Sequence, residues 1–216
     1  MNTLLRIDSS AHRTDSITRQ LTDAFTNKWT RDNPNGVVVI RDLDTNPLPH
    51  LTTDMVNAFF TPEGQRTAAM TAVLEMSDKL VDELLGADTI VIGAPMYNLT
   101  IPSSLKAWID HIARAGRTFR YSSIDPEGLV IGKKVVVCAA TGGDFRRDAA
   151  SAKDFVTPYL RALLAFLGMT DVTFVTAPGV AQGEYERAAA LAECLTMIAA
   201  IDTGADGRRA DAKWDD

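Results

Sequence analysis

The chain has 216 residues, 46% of them hydrophobic and 23% charged, which suits one soluble globular domain with a sizeable core. A formal net charge of −6 argues against a main role on nucleic acid or an anionic membrane surface, since both need concentrated positive charge. The longest apolar runs, such as Val135 to Ala140, are strand-sized and too short to span a bilayer.

In chain order, Leu4 to Ile7 reads as a buried strand, entered with no signal-peptide core ahead of it, which predicts a cytoplasmic protein. Ile17, Leu21, Ala24 and Phe25 then share one helical face, and Val37 to Arg41 is a second strand. Asp42 to Phe60 is long for a connection and rich in Pro, Asn and Thr, as a segment covering a site would be. Met70, Val73, Leu74, Val81, Leu84 and Leu85 line a longer helix that ends near Gly86. A third strand, Ile90 to Ala94, runs into Pro95-Met-Tyr-Asn98. Pro102 suits the first turn of the next helix, whose buried face carries Leu105, Trp108, Ile109 and Ile112.

Arg117 to Tyr121 and Gly128 to Ile131 flank a polar hexapeptide and read as a surface excursion or short hairpin. Val135 to Ala140 and Val172 to Thr176 are the last two strands. Between them, Phe155, Val156, Tyr159, Leu160, Leu163, Leu164, Phe166 and Leu167 cover roughly half a helix, more than the ~100° stripe one buried face needs. The surplus predicts either a dimer face or packing under the carboxyl-terminal helix. Residues 202–216 lose apolar periodicity and read as a polar, mobile tail following a domain of residues 1–201. Cys138 on a strand and Cys194 on a helix have no metal or redox spacing and are predicted as buried thiols; three scattered histidines make no metal cluster.

Strands alternating with helices imply right-handed crossovers, hence an α/β fold with a five-stranded parallel sheet, order 2-1-3-4-5, and helices on both faces. Open sheets of this kind bind ligands at the carboxyl ends of their strands, so three loops become candidates. The first, Asp8 to Thr18, offers hydroxyls at Ser9, Ser10, Thr14, Ser16 and Thr18 around a helix amino terminus, which can hold a phosphate without a lysine. It has neither the Walker ending nor the glycines of a dinucleotide loop, and Asp15 or Ser16 also suits a plain helix cap. In the second, Pro95 to Leu99, Tyr97 and Asn98 give a flat surface and a two-way amide, suited to the edge of a planar heterocycle. The third, Ala140-Thr-Gly-Gly143, lets backbone N–H groups approach a ligand. Strands one, three and four would be neighbours, so all three loops open at one edge. A phosphate on one loop and a flat ring between the other two describe flavin mononucleotide (FMN).

These residues resemble a known group. Ser9-Ser10 with Ser16-Ile-Thr18, Ala94 to Leu99 with Pro102, Leu105 and Lys106, Ala115-Gly with Thr118 to Tyr121, Pro126 to Leu129, and Thr141-Gly-Gly143 occur in the order seen in FMN-dependent NADH-azoreductases, within the flavodoxin-like quinone reductases. The resemblance implies a flavodoxin-like fold, a homodimer with active sites at its interface, and non-covalent FMN reduced by NADH or NADPH. By position it implies phosphate contacts from Ser10, Ser16, Ile17 and Thr18. Ring contacts fall on Met96, Tyr97, Asn98 and Leu99 and on Ala140, Thr141, Gly142 and Gly143. Leu99 and Leu163 stand where members carry aromatic residues, a difference that bears on substrate range, and Thr18 keeps a hydroxyl where a second serine is common.

The expected reaction passes two electrons by ping-pong from the nicotinamide through the flavin to a quinone or an azo compound, with no catalytic side chain and no metal. The cofactor carries the redox chemistry and the protein positions it. Quinones and azo compounds are both flat two-electron acceptors, which the motifs do not separate. A flavodoxin-type electron carrier without a substrate of its own is the alternative from a different class.

Overall fold

The computed structural model of the chain describes residues 1–204 apart from 123, 124 and 147. Its elements run β1 (Thr3–Asp8), α1 (Ile17–Asp32), β2 (Val37–Asp42), α2 (Thr53–Phe60), a 3-10 turn (Glu63–Gln65), α3 (Ala68–Gly86), β3 (Thr89–Pro95) and α4 (Ser103–Ile112). A short antiparallel pair follows, β4 (Phe119–Arg120) and β5 (Glu127–Gly128), then β6 (Lys134–Ala140), α5 (Asp148–Ser151), α6 (Thr157–Phe166), β7 (Asp171–Ala177) and α7 (Glu184–Ala200). The main sheet has five parallel strands in the order β2-β1-β3-β6-β7, which is 2-1-3-4-5 when only its own strands are counted.

The central strands read as nearly continuous apolar runs because both of their faces are covered. Alternate residues go to opposite layers. Leu5, Ile7, Ile90, Ile92, Val135 and Val137 join the core under α3, α4 and α6. Leu4, Val91, Val136 and Cys138 join a second core under α1 and α7, with Phe25, Trp29 and Ile198. Polar side chains start several helices: Ser16, Thr52 and Thr67 each cap one by accepting a backbone N–H, which satisfies donors that have no intrahelical partner. Among the described residues no helix is long and apolar enough to cross a membrane.

Three sequence readings are refined. The segment from Asp42 to Phe60 is not all connection, since α2 occupies its second half. It covers the far end of α4: Pro49 O meets His111 Nε2 at 2.9 Å, and Phe59 lies under the Arg114 guanidinium at 4.4 Å. Its start lies against the first loop, where Asp44 pairs with Arg13 at 2.6 Å. The surplus apolar arc of α6 is partly used inside the chain, because Phe166 packs on Phe119 of the hairpin, ring centroids 4.7 Å apart, while Phe155 stays exposed. The start of the predicted tail is anchored. Asn33 Nδ2 donates to Thr203 O at 2.8 Å and Lys134 Nζ to Asp202 O at 2.8 Å; residues 205–216 lie outside the described residues.

The hairpin is fixed by a backbone-to-backbone approach. A Cβ on Gly128 would lie 2.1 Å from Gly168 N and 2.3 Å from Leu167 C, so only glycine lets β5 touch the end of α6. Gly168 itself has φ +99°, the left-handed region that closes a helix.

Candidate active site at the carboxyl edge of the sheet

The three loops leave β1, β3 and β6 side by side, and specific bonds tie them together. Ser9 Oγ donates to Gly93 O at 2.6 Å, which joins the first loop to β3 and uses that hydroxyl for structure. Met96 N donates to Ala140 O at 2.8 Å, joining the second loop to the third. The Tyr97 hydroxyl reaches back across the edge, 3.4 Å from Ser10 Oγ and 3.3 Å from Ala11 N.

In the first loop Ser16 caps α1 by accepting from Arg19 N at 3.3 Å, and its hydroxyl lies 3.1 Å from Thr18 Oγ1. The plain cap reading is therefore realised at Ser16, alongside the hydroxyl cluster. Asp15 does not cap; its carboxylate pairs with Arg187 of α7 at 2.6 Å. Ile17 and Thr18 sit in the first turn, where N–H groups have no intrahelical acceptor. Ser16, Ile17 and Thr18 thus give this helix amino terminus hydroxyls and open donors, the electrostatics of an anion site, and Ser10 is tied to the same helix through Arg19 at 2.8 Å. Behind it Arg19 holds Asp42 by a two-pronged bond, 2.8 and 2.9 Å, and this hydrogen-bonded guanidinium holds the Asp42 carboxyl down to about 2.

The second loop is a tight turn. Tyr97 N donates to Thr100 O at 2.8 Å and Thr100 N to Tyr97 O at 3.1 Å. Both central residues are left-handed, Asn98 at φ 51° and Leu99 at φ 71°. Asparagine tolerates this; leucine does so at a cost, and strained backbone of this kind concentrates at functional sites. The turn is pinned from outside by Phe155 N, which donates to Leu99 O at 3.1 Å. Tyr97 and Met96 are half-buried, whereas Asn98 and Leu99 are exposed.

The third loop gains its shape from a segment that sequence reasoning missed. Val180 N donates to Thr141 O at 3.0 Å, Ala181 N to Gly142 O at 3.2 Å and Gly179 N to Gly143 O at 3.0 Å. Across a trans peptide the C=O of one residue and the N–H of the next point in opposite directions. Holding the carbonyls of Thr141 and Gly142 therefore turns the N–H groups of Gly142 and Gly143 away from residues 179–181. The signal for this support was present as Pro178-Gly179 directly after β7. Ala140 ends β6 and is buried, and Thr141 Oγ1 closes the turn on Gly143 O at 2.8 Å.

An open cleft of about 520 Å³ adjoins the second loop, lined by Tyr97, Asn98, Ile101, Lys106 and Tyr159 between α4 and α6. That volume is ordinary for a small-molecule site. Tyr121 stacks edge-on against Phe119, centroids 5.4 Å apart, on the hairpin. Leu163 is half-buried against the core under α6. Both thiols are desolvated: burial pushes the Cys138 thiol up and the Cys194 thiol up to about 11, so neither is a nucleophile at neutral pH.

Comparisons with known proteins show what the chain is similar to. The family model described as flavodoxin-like fold matches residues 2–201. An FMN-dependent NADH:quinone oxidoreductase of Herminiimonas arsenicoxydans is 49% identical over 198 residues, 92% of this chain and 97% of the relative. One from Burkholderia pseudomallei is 47% identical over 201 residues, 93% of this chain and 100% of the relative. Among solved structures, an FMN-dependent NADH-azoreductase of Bacillus anthracis in complex with FMN superposes with a TM-score of 0.82 at 26% identity, covering 92% of this chain and 98% of that one.

Proposed function

The chain belongs to the family of FMN-dependent NADH:quinone oxidoreductases and azoreductases with the flavodoxin-like fold, and from that premise we propose that it is an FMN-dependent NAD(P)H oxidoreductase passing two electrons to quinones and azo compounds. One observation carries the reading: the Tyr97 hydroxyl, within 3.4 Å of Ser10 Oγ and 3.3 Å of Ala11 N, joins the ring loop to the phosphate loop as one site.

The residues present fit FMN. Ser10, Ser16 and Thr18, with the N–H groups of Ile17 and Thr18, would hold the phosphate by hydrogen bonds and helix dipole. Met96 to Leu99 and Ala140 to Gly143 would flank the ring. The Asn98 amide can donate and accept at a heterocycle edge, and the outward N–H groups of Gly142 and Gly143 favour negative charge developing there. When bound, FMN supplies hydride chemistry between NADH or NADPH and the acceptor. These loops would leave a bound flavin open on one side, where donor and acceptor would take turns, so double-reciprocal plots should run parallel.

The functional unit is a homodimer in the cytoplasm, built on a single domain of residues 1–201. Supporting the dimer are Leu99 and Phe155, exposed apolar neighbours beside the ring loop, where Phe155 N donates to Leu99 O at 3.1 Å. The deciding experiment is the anaerobic visible spectrum of the purified protein. A yellow protein that NADH bleaches and a quinone re-colours is expected. A colourless folded protein would overturn the reading, and a yellow one indifferent to NADH and NADPH would make it an electron carrier.

A further inference from the structure

Arg19 makes more bonds to the first loop than a helix surface residue needs. Its Nη2 donates to Ser10 O at 2.8 Å and its Nε to His12 O at 3.1 Å. The remaining donors take the Asp42 carboxylate at 2.8 and 2.9 Å, and Asp8 Oδ2 lies 3.8 Å from Nη1. Two carboxylates meet its charge, so its effect on the loop is one of direction. All peptide bonds of the described chain are trans. Drawing the carbonyls of Ser10 and His12 inward onto the guanidinium therefore turns the N–H groups of Ala11 and Arg13 outward. The Ala11 N–H does point to the site, 3.3 Å from the Tyr97 hydroxyl. Without that clamp, either carbonyl could rotate to the outer side and present a negative dipole to an anion.

We infer that Arg19 is the positioning residue of the phosphate loop: it sequesters the carbonyls of Ser10 and His12 so that the loop shows an anion only N–H and O–H donors. The inference rests on the reading that the FMN phosphate binds this loop. Lysine keeps the charge but has no planar fork, and one ammonium cannot hold two carbonyls and a carboxylate in this arrangement.

The test uses a ligand pair that differs only by the phosphate. Full-length wild type, Arg19→Lys and Arg19→Gln are each equilibrated with equimolar FMN and riboflavin below their melting temperatures, and the retained flavins are separated and counted. Wild type should retain FMN strongly over riboflavin. Both variants should lose about tenfold of that preference, the worth of one charge-assisted hydrogen bond, while keeping their riboflavin affinity. An unchanged preference in both variants overturns the inference, as does an equal loss of both flavins, which marks a purely structural tie between α1 and β2. A wild type that prefers neither flavin instead overturns the phosphate reading of the loop, which separates the two failures.

Discussion

The left-handed Leu99 turns the ring loop into a measurable strain. In Leu99→Ala and Leu99→Gly the same side chain is removed, so lost contacts cancel between them. The backbone bonds of the turn, Tyr97 N to Thr100 O and Phe155 N to Leu99 O, are available to both. What differs is the cost of φ 71°, which alanine retains and glycine does not. A left-handed non-glycine residue costs about 1–2 kcal/mol. Glycine gives back about 0.5–1 kcal/mol through the freedom it adds to the unfolded chain. Glycine should therefore be the more stable by about 0.5–1 kcal/mol, or about 1–4 °C in Tm for a domain of this size. Thermal melts of both variants stripped of flavin, so that no difference in ligand affinity enters, give the comparison. Leu51 is a control: it is also exposed but has no positive φ, so there alanine should melt above glycine. If alanine is also the more stable at position 99, the turn is unstrained and the link between strain and site fails.

Gly128→Ala places a Cβ against backbone atoms at 2.1 and 2.3 Å, which no rotamer relieves; we expect a Tm loss of many degrees or insoluble protein, and an unchanged melt would show that the hairpin does not rest on α6. Gly142→Ala should stay yellow and stable, because its Cβ would meet only the Ala181 side chain at 3.5 Å, whereas the γ-carbons of Gly142→Val press on Ala181, shift the loop and lower flavin content on absorbance assay. The Asp42 carboxyl, held down to about 2 by Arg19, stabilises the fold fully above about pH 4, its unfolded range, and that stability is lost as pH falls from there toward 2. Asp42→Asn should therefore lower the Tm at pH 7 and flatten its decline over that window; an acid limb as steep as in wild type would place the titration elsewhere.

Much of this protein is local in origin. Strand positions are legible because buried parallel strands read as nearly continuous apolar runs, and their order is a common arrangement of doubly wound sheets. Ser16 announces its helix, and the Gly-Gly after β6 marks a close backbone approach, each through the chemistry of one or two neighbouring residues. Other features depend on partners far along the chain, so no local pattern encodes them. That residues 42–60 reach from the first loop to the far end of α4 is seen only where Asp44 meets Arg13 and Pro49 meets His111. Asp202 and Thr203 read as tail, yet they are held by Lys134 and Asn33, whose bonds to them form only in the folded chain. Leucine gives no sign that it will stand at φ 71°; it does so inside the turn closed between Tyr97 and Thr100, which Phe155 pins from outside. The direction of each loop's N–H groups is likewise a tertiary outcome, set by Arg19 for the first loop and by residues 179–181 for the third. Composition and spacing determine which groups stand at the sheet edge. Hydrogen bonds to their carbonyls, from a neighbouring helix in the first loop and from residues 179–181 in the third, decide which way those groups face, because a peptide plane has two orientations of similar energy until a partner takes one side.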